Sequence, residues 1–105
     1  MTDGSDASTP PRTAPPLTAR SRAALKARAH GLEPVVRVGH AGVTDGVVAD
    51  LARALESHEL VKVKIADGDR DEREAVTTTL RARTGAALVQ QVGRVIVLWL
   101  PREGE

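Results

Sequence analysis

Short β-branched runs alternate with longer stretches of helical periodicity along this 105-residue chain, and the order of that alternation leaves few folds open. The clearest run is Leu60-Val61-Lys62-Val63-Lys64-Ile65. Its period of two predicts a half-buried strand with Lys62 and Lys64 facing away from the core. Upstream, Thr18 is placed as an N-cap before a helix over Ala19 to His30, which Gly31 ends and Pro34 keeps from resuming. Val35 to Val38 then reads as a strand, followed by the turn Gly39-His40-Ala41-Gly42. A second helix starts near Thr44, with Asp45 in its first turn and Val47, Val48, Leu51 and Leu55 on one face. Beyond Ile65, Asp67-Gly68 is a turn, and Asp69 with Glu72 forms a capping-box start for a third helix. That helix turns Val76 and Leu80 inward and ends at Gly85. Ala86 to Val92 and Val95 to Leu100 form a hairpin about Gly93-Arg94, and Pro101 ends it.

The order α-β-α-β-α-β-β predicts an α/β fold. Two β-α-β units call for parallel pairing through right-handed crossovers, and the hairpin adds an antiparallel pair. The expectation is a four-stranded mixed sheet with packed helices, mainly on one face, so that the other face presents Lys62 and Lys64. Residues 17–105 form the domain. Met1 to Pro16 holds four of the six prolines among small polar residues and reads as a disordered tail.

Composition narrows the function classes. There is no cysteine, so disulfides, thiolate metal sites and a cysteine nucleophile drop out. Trp99 is the one aromatic residue, which makes base stacking an unsuitable main mode of holding a nucleic acid. The N-terminal stretch lacks the apolar segment of a secretion signal, and the longest apolar run, Val95 to Leu100, is far short of a membrane span. A cytoplasmic protein with no membrane partner is expected. His30, His40 and His58 fit no zinc spacing, and Asp67, Asp69 and Asp71 lack the rest of a calcium loop. No nucleophile with an acid–base pair can be read, so neither catalysis, a cofactor nor a small-molecule substrate is expected.

Charge carries more information when resolved along the chain. Between Thr18 and Gly42, five basic residues face one acid, whereas from Val43 onward eleven acids outnumber nine bases. Such asymmetry points to a polyanion-binding end. Within it lies Gly39-His40-Ala41-Gly42, between a strand and a helix. Glycines let a backbone approach a ligand closely, and helix N-termini favour phosphate. A strand-to-helix turn can also need glycine for geometry alone. A Walker loop and a dinucleotide fingerprint are both absent, for want of the G-K-[ST] and the third glycine. Arg37 and His40 flank Gly39. Arg22, Lys26 and His30 share a helix face, Lys62 and Lys64 a strand face, and Arg94 stands at the hairpin turn. Each could contact phosphate or be an ordinary solvated side chain.

Several segments taken together resemble the CRM domain, and within it the stand-alone bacterial YhbY-like proteins. They are Leu25-Lys26-Ala27-Arg28-Ala29-His30, Leu32-Glu33-Pro34-Val35-Val36 and Val38-Gly39-His40-Ala41-Gly42-Val43-Thr44. His58-Glu59-Leu60-Val61-Lys62-Val63-Lys64-Ile65, Thr84-Gly85-Ala86 and Val92-Gly93-Arg94 complete the pattern. The resemblance implies a fold similar to the C-terminal domain of translation initiation factor three. It also implies binding of large-subunit ribosomal RNA in ribosome precursors, with Gly39 to Gly42 as the RNA-contacting loop. The bacterial proteins often carry a polar third loop residue where this chain has Ala41. The expectation is a monomeric RNA-binding ribosome-assembly factor using Arg22, Lys26, His30, Arg37, Gly39, His40, Ala41, Gly42, Lys62, Lys64 and Arg94. The alternative is a protein-interaction module docking on a ribosomal or translation protein through the sheet and the Val95–Leu100 strand.

Overall fold

The computed structural model describes residues 12–102. In chain order the elements are α1 (Ala19–Ala29), β1 (Pro34–Val38), α2 (Asp45–His58), β2 (Leu60–Ile65), α3 (Arg70–Thr84), β3 (Ala87–Val92) and β4 (Val95–Trp99). Each helix starts where a side chain can satisfy free amides. Thr18 Oγ1 accepts from the Ser21 amide, and Ser21 Oγ accepts from that of Thr18, at 3.0 and 2.9 Å. Thr44 Oγ1 accepts from the Val47 amide, and Asp69 and Glu72 cap α3 reciprocally. Gly85, in the left-handed region, ends α3.

The four strands lie in the order β1-β2-β4-β3. β1 and β2 pair in parallel, as one β-α-β unit requires. The second expected parallel pair does not form. β4 lies between β2 and β3, antiparallel to both, so β2 and β3 run the same way without touching. Burial explains the insertion. Ile96, Val97 and Leu98 of β4 are all buried, which suits a strand covered on both faces, whereas Gln91 and Val92 of β3 are exposed and suit an edge.

Helices cover both faces, not mainly one. On one side, Leu51 and Leu55 of α2 and Leu80 of α3 join Val36, Val38, Val61, Val63, Ile65, Ile96 and Leu98 in the main core. On the other, Leu25 and Ala29 of α1 pack on Leu60, Val89 and Val97, with Trp99 half-buried beside them. Trp99 is therefore a packing residue. Because α1 is a single helix, that second face is only partly covered. Lys62 and Lys64 alternate with Val61, Val63 and Ile65, so they lie on the α1 side of the sheet, half-buried.

The expected tail ends too late. Arg12 Nη1 donates to the Pro101 carbonyl at 2.8 Å, and the Ala14 amide donates to the Gly85 carbonyl at 2.8 Å. A Cβ on Gly85 would stand 1.9 Å from the Arg12 carbonyl oxygen, so the segment is pressed onto that glycine. Residues 12–14 dock on the fold; the composition that suggested disorder conceals them, because one arginine side chain, one backbone amide and the small side chain of Ala14 make the contacts. The tail reading for residues 1–11 lies outside the described residues.

Candidate nucleic-acid interface

Parallel strands leave a sheet at the same end, so the connections that follow β1 and β2 are neighbours. Val38 and Ile65 pair there, and the Ala66 amide donates to the Val38 carbonyl at 2.8 Å. The Ile65 amide donates to the Arg94 carbonyl at 2.7 Å, bringing the hairpin turn to the same end. Gly39–Gly42, Asp67-Gly68 and Arg94 thus gather at one end of the sheet, where the N-termini of α2 and α3 also lie.

The glycine loop is closed by a hydrogen bond from the Gly42 amide to the Gly39 carbonyl at 3.0 Å. Gly42 sits at φ 77°, a conformation that penalises any residue with a Cβ. Gly39 has no such constraint, and a Cβ built on it would meet nothing within 4 Å. Gly39, His40 and Ala41 are all exposed.

His40 reaches across to the neighbouring loop. Its Nδ1 lies 2.6 Å from Asp67 Oδ2, with the two side chains 97% and 57% exposed. The hydrogen bond and the charge of Asp67 hold the imidazole above its ordinary range, and His40 in return holds the Asp67 carboxyl below its own. The cleft between the two loops has Gly39 and His40 on one wall, Asp67 and Glu72 on the other, and Val38 and Ile65 at its base. Its far wall is acidic, so the end of the sheet is not uniformly cationic.

The remaining expected residues divide in three. Arg37 and Lys64 are register partners, so they stand side by side on the α1 face of the sheet, immediately before the glycine loop. Lys62 shares that face, with Nζ donating to the Leu32 carbonyl at 2.9 Å. On α1, Lys26 and His30 are exposed on the flank of Arg22, toward β3 and away from the β1–β2 cations, whereas Arg28 on the opposite flank, a residue the expected set lacks, lines a cleft with Lys62. The other two are committed to the fold in whole or part. Arg22 Nη1 donates to the Leu88 and Val89 carbonyls at 2.7 and 3.0 Å, so its guanidinium braces β3 and is not offered to a ligand. Arg94 is exposed, with Nη1 donating to the Gly68 carbonyl at 3.2 Å.

The expected alternative, docking through the Val95–Leu100 strand, loses its surface. That strand is internal, and Ile96, Val97, Leu98 and Leu100 are buried. Asp67 is the site residue absent from the expected set: in the sequence it stands as a turn former and as one of three aspartates short of a calcium loop. Its partnership with His40 follows from parallel pairing, since adjacent parallel strands deliver their outgoing loops side by side. Among the described residues, no group of three metal-ligating side chains converges, and no helix is long and apolar enough to cross a membrane.

Residues 17–99 match the model of the CRS1/YhbY (CRM) domain family. An RNA-binding protein of Haemophilus influenzae is 41% identical over 83% of this chain and 88% of its own length. A probable RNA-binding protein of Pseudomonas aeruginosa is 41% identical over 79% of this chain and 80% of its own. The Bacillus subtilis protein YqeI, also named a probable RNA-binding protein, is 35% identical over 79% and 86% of the two chains. The solution structure of SAV1595 from Staphylococcus aureus superposes with a TM-score of 0.74 at 27% identity, covering 86% of this chain and 95% of that one.

Proposed function

The chain belongs to the CRS1/YhbY (CRM) domain family, and from that premise we propose that it binds RNA by gripping the sugar–phosphate backbone. The relatives named as RNA-binding proteins support the ligand class. The observation that carries the mode of binding is Gly39. Neither backbone strain nor a neighbouring atom requires glycine there. A bare backbone at an exposed loop before a helix N-terminus is what a phosphate pressed against amide groups uses. Arg37 and Lys64 beside the loop, Lys62 further down the strand, and Arg28 on the α1 flank that faces Lys62 supply the counter-charge on the same face of the sheet. Stacking contributes little, because the one aromatic side chain, Trp99, is engaged in packing.

The RNA is large-subunit ribosomal RNA in precursor particles, a reading supported by the likeness to the YhbY-like proteins. The protein acts as a cytoplasmic monomer and catalyses nothing. Filter binding to a large-subunit ribosomal RNA transcript at two salt concentrations tests the grip. Affinity falls steeply with salt. Replacing Arg37 and Lys64 together by Glu lowers both the affinity and the salt slope, the slope by about one for each phosphate no longer neutralised. Wild-type affinity and slope in that variant would refute the proposed surface. Sedimentation with large-subunit precursors, abolished in the same variant, tests the target.

A further inference from the structure

Building on the RNA reading above, we propose that Asp67 is a positioning residue: it holds the His40 imidazole by Nδ1 so that Nε2–H is presented to a phosphate seated on the Gly39–Gly42 loop.

The pair joins residues 27 positions apart on two separate loops, at 2.6 Å. No other group among the described residues holds the ring, which at 97% exposure has no packing to fix its rotamer. An unrestrained surface imidazole would lose rotamer freedom on binding a ligand, and the carboxylate removes much of that cost beforehand. With Nδ1 committed to Asp67, Nε2 on the other side of the ring is left to solvent. The same division of labour orients histidines elsewhere, where a carboxylate at one nitrogen fixes the chemistry of the other. A nearby anion also favours imidazolium, whose Nε2–H is a donor; a neutral ring bonded to Asp67 through Nδ1–H presents a lone pair instead, which repels phosphate oxygen.

Charges around the pair come from every element that faces it. From α3, Glu72 lines the cleft with Oε1 already accepting from the Asp69 amide. From the hairpin turn, Arg94 favours the Asp67 carboxylate, and its guanidinium shares the Gly68 carbonyl with that of Arg73. From α2, Asp45 lies just beyond the loop and pairs with Arg83 at 3.3 Å. Asp67 therefore has two opposed effects on a bound phosphate. It repels it directly, and it supplies an oriented, protonated donor. Affinity at one pH cannot separate these, whereas a pH profile can.

The test measures binding of the large-subunit ribosomal RNA transcript between pH 5.5 and 8.5 at constant ionic strength, with the three histidine rings followed by NMR in the free protein. Wild-type affinity falls roughly three- to tenfold as pH rises, the net worth of one solvent-exposed hydrogen bond. Its midpoint follows the His40 titration. Asp67→Asn moves both midpoints to lower pH, Asp67→Glu restores part of the shift, and His40→Gln abolishes this component of the profile. Thermal melts confirm that the exposed substitutions leave the fold intact. An Asp67→Asn protein with the wild-type profile, or a His40→Gln protein that keeps the full pH response, overturns the assignment while the RNA reading stands. Absence of wild-type binding at any pH overturns both.

Discussion

Gly42 at φ 77° and Gly39 with open space around its Cβ position share a loop but answer to different constraints. Gly42→Ala carries a left-handed penalty and costs about 1–2 kcal/mol in a urea melt. Gly39→Ala stays within about 0.5 kcal/mol of wild type, as an exposed substitution should. Both weaken RNA binding, so Gly39 is the cleaner probe of contact. The His40–Asp67 pair also links stability to pH. His40 has its folded value raised, so its contribution is complete below the ordinary imidazole value and is lost as pH rises through the raised one. Asp67 has its value lowered, so its contribution is present above the ordinary carboxylate value and is lost as pH falls through the lowered one. Denaturation across pH should therefore show Asp67→Asn flattening the alkaline-side decline. An unchanged curve would mean the two side chains do not pair in solution. The composition of the loop was legible in the sequence; the partner was not, because Asp67 becomes a neighbour only through strand pairing.

Local signals placed the elements well. Thr18 and Asp69 sit at N-caps, Gly85 at a helix end and Gly93-Arg94 at a hairpin turn, each because the chemistry of the position is local. Sheet order is not local. The insertion of β4 between β2 and β3 depends on which strand has the most apolar surface to hide, and a parallel β2–β3 pair would have left that strand at an edge. Likewise, alternation revealed that Lys62 and Lys64 share a face, but only the β1–β2 register sets Arg37 beside Lys64. Arg22 shows the converse. A basic residue on a basic helix face reads as a ligand contact, yet it spans 66 positions to hold a β3 carbonyl. Arg22→Ala should lower stability by about 1–2 kcal/mol, since it removes charge-assisted hydrogen bonds to partly buried carbonyls. It should leave the salt slope of RNA binding unchanged, whereas Lys64→Ala should lower that slope at little cost in the melt. The reverse pattern would return Arg22 to the binding surface.

For the molecule as a whole, two helices seal one sheet face while a single helix leaves the other partly open, and cations from α1, β1 and β2 belong to the open side. The N-terminal segment braces the far side of this arrangement by pressing Arg12 and Ala14 onto the end of α3 and the chain beyond β4. A chain beginning at Leu17 should therefore melt at lower temperature, and Gly85→Ala should do the same by pushing that segment away. Neither change touches the binding face, so RNA affinity measured well below the melt should be kept. The most direct measurement is a titration of the ¹⁵N-labelled protein with the large-subunit ribosomal RNA transcript at low salt, followed by amide shifts and broadening. The largest changes should fall on Gly39 to Thr44 and on Arg37, Lys62 and Lys64, with the exposed faces of α2 and α3 silent. Changes concentrated on α2 and α3, with the glycine loop unmoved, would contradict the account.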